Sequence, residues 1–120
     1  MYNAGLVYAS GSGVPKDDKE AVRWFRKAAA GGDLGGMDWL GWMYEQGRGV
    51  DTADASEAVH WYRMAADAGN SNSIYNLGRM YENGTGVPKD TDEARRLYQK
   101  AAALGVKGAS DRLEQLRNTP

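Results

Sequence analysis

One histidine, no cysteine and a few evenly spaced acids are all that this chain offers to chemistry. His60 sits in Ala58-Val59-His60-Trp61-Tyr62, with no second histidine to make a His-x-x-x-His pair. A metal would therefore have only carboxylates to bind, since thiolate sites and disulfides are excluded. A Ser–His–Asp triad would have to recruit His60 across the fold, and no spacing supports that. Paired acids recur as Asp17/Glu20, Asp54/Glu57 and Asp90/Glu93. Two carboxylates can perform acid–base work, but Asp-x-x-Glu is also the aspartate form of a helix capping box. Gly11-Ser12-Gly13, Gly47-Arg48-Gly49 and Gly84-Thr85-Gly86 lack the Gly-Lys-Ser/Thr ending of a phosphate loop. Lys16 and Lys89 do follow such glycines, but Asp17 and Asp90 beside them would repel phosphate. These residues predict no catalytic group, no cofactor and no metal site; the chain reads as a non-enzyme.

The elements that carry these residues are written three times. Tyr2-Asn3-Ala4-Gly5 through Asp17 returns as Tyr75-Asn76-Leu77-Gly78 through Asp90, with a third copy around Leu40-Gly41, Tyr44 and Gly47–Val50. Gly5, Gly41 and Gly78 lie 36 and 37 residues apart. A period of this length marks a solenoid, because one unit cannot bury its apolar face without a neighbour. In each copy a helix A carries one apolar stripe, Met37, Leu40, Gly41 and Tyr44, repeated as Ile74, Leu77, Gly78 and Tyr81. The glycine inside that stripe implies close approach by a neighbouring helix backbone. Gly-x-Gly-Val ends helix A, and Asp-x-x-Glu opens helix B. Helix B then presents Ala21, Trp24, Phe25, Ala28, Ala29; Ala58, Trp61, Tyr62, Ala65, Ala66; and Ala94, Leu97, Tyr98, Ala101, Ala102. The expected fold is all-α: a right-handed α/α superhelix of three helix-turn-helix repeats plus a C-terminal capping helix. Repeats at 1–33, 34–69 and 70–105 form a single domain, with the cap at 109–117.

The copies differ at their edges. Ala4 stands where the other copies have leucine, and Met1-Tyr2 already falls inside a helix A, which reads as an array cut from a longer one or an unusually short gene. An uncapped first repeat would offer apolar surface for self-association. At the far end Leu113 keeps the leucine position, while Glu114 and Arg117 replace glycine and tyrosine, as a wet terminal face requires. The formal net charge of −1 gives no reason to expect nucleic acid. Arg23, Arg26, Lys27, Arg63, Arg95, Arg96 and Lys100 fall among acids on helix B and read as a solvated outer surface. No apolar run is long enough to insert into a membrane, and no export signal opens the chain. The cytoplasm is the default compartment, with the periplasm or the exterior open to a fragment of a longer protein.

Leu40-Gly41, Tyr44, Gly47, Gly49-Val50, Asp54, Ala58, Trp61-Tyr62, Ala65-Ala66 and Gly69 together resemble the Sel1-like repeat, a relative of the tetratricopeptide repeat. The resemblance implies a bacterial scaffold or adaptor that gathers other proteins; the motif residues themselves are structural and bring no catalytic group. In related solenoids helix A lines the concave face. On the side of helix A opposite its stripe, Leu6, Trp42 and Tyr75 would give a groove aromatic or apolar surface, with Trp39 beside them. Asp38, Glu45, Arg79, Glu82 and Asn83 would edge it. Such residues favour a protein or peptide partner. The alternatives left open are a carbohydrate-binding or hydrolase-associated role, which needs a carboxylate with a raised pKa close to the aromatics, and a spacer fragment whose partner surface lies on further repeats.

Overall fold

The computed structural model describes Gly5, Ser10 and residues 17–117. Within 17–117 the chain forms six helices: α1 Asp18–Ala30, α2 Leu34–Gln46, α3 Ala55–Asp67, α4 Ser71–Asn83, α5 Thr91–Ala103 and α6 Lys107–Arg117. No strand occurs among the described residues. Every closely packed helix pair is a sequential one, so the helices stack in series and the molecule extends to 47 × 28 × 23 Å. This is an α/α solenoid. α2 and α4 are the A helices of the second and third units, and α1, α3 and α5 are the B helices.

Local sequence sets each boundary. Asp17, Asp54 and Asp90 cap the B helices, each carboxylate accepting the amide of the glutamate three residues on, at 3.0–3.1 Å. The second half of the capping box is used differently, because Glu20 and Glu93 pair with Arg23 and Arg96 one turn later. The A helices have caps of their own: Asp33 accepts from the Gly36 amide and Asn70 from the Ser73 amide. Gly47 and Gly84 end the A helices in the left-handed region, at φ 71° and 68°.

The buried surface is wider than one stripe. Ala21, Phe25, Ala28 and Ala29 are buried as the spacing implies, as are Ala58, Tyr62, Ala65, Ala66, Ala94, Leu97, Tyr98 and Ala101. Val22, Val59, Met43 and Met80 are buried too, whereas Trp24, Trp61 and Ala102 are only half-buried. A stacked helix touches the unit before it as well as its own partner, so two arcs are covered.

The recurrent glycines show how tightly this is done. A methyl on Gly41 would lie 2.8 Å from Cε1 of Tyr62, and one on Gly78 equally close to Tyr98; Gly5 faces Phe25 in the same way. The expected neighbour was helix backbone. Its place is taken chiefly by an aromatic ring from helix B laid across the glycine. The second glycine of Gly-x-Gly does more than end a helix. Gly49 and Gly86, at φ 72° and 74°, press on the start of the preceding B helix, where a methyl would stand 2.2 Å from the Asp18 carbonyl oxygen and 2.4 Å from that of Ala55. Each loop thus clamps the repeat before it.

Candidate interaction surface

The A helices bring acids, arginines and aromatic rings onto one face, and the bonds between them run across the repeats. Glu45, near the end of α2, accepts the Tyr62 hydroxyl of α3 at 2.8 Å. It also takes both guanidinium arms of Arg79 on α4, at 3.0 and 3.1 Å. One unit later Glu82 repeats the arrangement, accepting the Tyr98 hydroxyl at 2.6 Å and Arg112 of α6, whose Nε lies at 3.1 Å. Each bridge ties an A helix to its own B helix and to the next A helix. Both glutamates are mostly covered, which strengthens these charge-assisted bonds.

Electrostatics follow from that cover. Burial pushes the Glu82 carboxyl up, but the bonds from Arg112 and Tyr98 outweigh it and leave the group below its ordinary range. Burial and the adjoining glutamates push both the Tyr62 and Tyr98 hydroxyls well up, so they stay protonated donors. Burial opposes the charge on Arg79, yet Glu45 holds the guanidinium above its usual value.

Asp38 lies in the same seam but is held otherwise. Its Oδ1 accepts the Ser73 hydroxyl at 2.8 Å and the Asn76 amide at 2.9 Å, both from α4. Burial lifts its carboxyl above the ordinary range, Glu45 adds to this, and Ser73, Asn76 and Arg79 oppose it.

The aromatic residues lie partly along this seam and partly in the core. Trp39 stacks on Phe25 of α1, ring centres 5.8 Å apart at 12°, and meets Trp42 edge-on at 5.6 Å. The Arg48 guanidinium lies 5.1 Å from the Trp42 ring and is anchored by Asp18. Both indoles are half-buried and packed against the core. The reason is again the second covered arc: Trp39 points back toward the preceding B helix. Tyr75 is half-buried with its ring 5.6 Å from that of Tyr98, and Asn83 is exposed at the end of α4. Leu6 lies outside the described residues. The seam therefore gathers Asp38, Glu45, Arg79 and Glu82, and sequence reasoning missed four members: Tyr62, Ser73, Tyr98 and Arg112. A signal for the tyrosines was present. Where the later copies have Tyr-Glu and a helix B tyrosine, the first has Tyr8-Ala9 and Phe25, so carboxylate and hydroxyl are absent together.

The rest of the surface offers less. His60 is exposed, its ring 5.2 Å from Trp61. Arg26 and Arg63 lie over Tyr44 and Tyr81, with Arg63 also donating to the Tyr81 hydroxyl at 2.7 Å. Among the described residues no group of histidine and carboxylate side chains is arranged to hold a metal ion, and no helix is long and apolar enough to cross a membrane.

The Sel1 repeat family model matches residues 1–33, 36–70 and 71–106. No curated protein matches the chain. Among solved structures, c5321, a protective antigen present in uropathogenic Escherichia coli strains and displaying an SLR fold, is 40% identical with a TM-score of 0.89. That match covers 93% of this chain but 24% of the antigen, so the chain spans about a quarter of that protein's length. A Sel1 repeat protein from Oxalobacter formigenes is 44% identical, with a TM-score of 0.82, 95% of this chain and 85% of that one being covered. Helicobacter pylori cysteine rich protein B is 27% identical at a TM-score of 0.77, with 89% and 78% covered.

Proposed function

From the premise that this chain belongs to the Sel1 repeat family, we propose that it is an adaptor whose concave face, lined by the A helices, holds a peptide or protein partner. Sel1 repeats are generally protein-interaction modules and typically non-catalytic scaffolds. The three repeats and α6 act as one domain in this reading. The observation that carries it is the seam itself: Asp38, Glu45, Arg79, Glu82 and Arg112 are fixed by bonds between repeats, so the groove is pre-organised. A fixed surface loses little entropy on binding. Trp42 and Tyr75, half-exposed along it, supply the anchoring rings.

The carbohydrate or hydrolase reading finds one supporting feature, the raised carboxyl of Asp38 one helical turn from Trp42. A glycosidase needs a second carboxylate free to act on water or sugar. Glu45 is committed to Arg79 and Tyr62, which leaves that role unfilled and favours the adaptor. Capture from the source cell lysate tests this, with wild type against a Trp42→Ala/Tyr75→Ala chain shown to be folded. Specific protein prey lost in the variant agrees with the proposal; prey retained by the variant, or binding to a sugar array with no protein prey, refutes it.

A further inference from the structure

Asp38 is the groove carboxylate without an arginine of its own. Glu45 and Glu82 each hold a guanidinium and a tyrosine hydroxyl. Asp38 receives only two neutral donors, Ser73 and Asn76, and both converge on Oδ1. Its Oδ2 accepts no hydrogen bond among the described residues. The nearest cation, Arg79, is engaged by both oxygens of Glu45. A half-buried carboxylate with one free oxygen attracts a positive charge more strongly than a neutral group.

We propose that Asp38 is the docking point for a lysine or arginine side chain of the peptide or protein that fills the groove, an inference that rests on the adaptor reading above. Its surroundings suit such a side chain. Trp42 lies one helical turn along α2 from Asp38, whereas Tyr75, at the equivalent position one unit on, turns toward Tyr98 and Gly108. An aromatic ring one turn from a carboxylate can cover the alkyl stem of a side chain whose charged head the carboxylate holds. The raised carboxyl agrees with this: burial and Glu45 of α2 lift it by more than Ser73, Asn76 and Arg79 of α4 lower it, and Tyr62 of α3 faces it as a neutral hydroxyl. Affinity therefore falls as acid protonates Asp38.

A displayed random-peptide library selected on the intact chain tests the assignment. Clones enriched in lysine or arginine should lose about tenfold in affinity on Asp38→Asn, which keeps an oxygen for Ser73 and Asn76 but removes the charge. The same clones should weaken with salt. Clones that need Trp42 and Tyr75 yet ignore Asp38→Asn, or show no cationic enrichment, overturn this inference and leave the groove reading standing. Clones that bind a folded Trp42→Ala/Tyr75→Ala chain as well as wild type, or a library yielding no groove binder, overturn both. If Asp38→Asn fails to fold, salt-independent binding to the wild-type chain overturns the inference.

Discussion

Replacing Gly41 with alanine sets two local effects against each other. On propensity alone the change should stabilise α2 by about 1 kcal/mol, since glycine is the poorer helix former. The new methyl, however, would stand 2.8 and 2.9 Å from Cε1 and Cδ1 of Tyr62, and 3.2 Å from the Ala58 carbonyl oxygen. Carbon atoms in contact prefer about 3.5–4.0 Å. The ring must therefore retreat, but it is fully buried and its hydroxyl is tied to Glu45. Overpacking of this kind costs roughly 1–3 kcal/mol. The expected net result is destabilisation by up to about 2 kcal/mol, or up to roughly 8 °C in Tm for a domain of this size. Urea unfolding with an unchanged m-value is the assay. Adding Tyr62→Leu should recover part of the loss, with a coupling of at least about 0.5 kcal/mol. A Gly41→Ala chain more stable than wild type would refute the ring-on-glycine argument.

Other substitutions probe the remaining contacts. Tyr98→Phe should cost about 1.5–3 kcal/mol by removing a hydroxyl bonded to a charged carboxylate, read from urea midpoints. Gly49→Ala should cost more than Gly41→Ala, because it combines a positive φ with a collision against the Asp18 backbone; a milder effect in thermal melts contradicts the clamp. Glu82 has a lowered folded pKa, so its contribution is present above its ordinary value of 4.5 and fades as pH falls through the lower folded value. Glu82→Gln should accordingly flatten that part of the acid side of the stability–pH curve, and an unaltered slope would count against the bridge. Ala65→Arg should unfold the middle repeat, since Ala65 is fully buried and a charge there has no partner.

The fold was legible because its period, glycine positions and aspartate caps are local signals. Gly41 and Gly78 announce a close approach in the sequence, but not whether backbone or ring supplies it, since that depends on the angle between packed helices. The same limit explains the tryptophans. Helical geometry places Trp39 and Trp42 opposite the main stripe, yet cannot say how far the preceding unit reaches around to cover them. Of the seam, the acids and Arg79 could be placed on one face from spacing. Arg112 could not, because it stands at a different register from Arg79 and reaches Glu82 only through the actual separation of α4 and α6. The Phe25 and Ala9 pair shows that some of this coupling is written into differences between copies.

Hydrogen–deuterium exchange on the chain, alone and bound to a captured partner, tests the concave-face assignment most directly. Protection concentrated on α2, α4 and α6, strongest around Asp38, Trp42, Tyr75 and Arg79, is the predicted result. Protection confined to the outer residues of α1, α3 and α5, with the A helices unchanged, would contradict it.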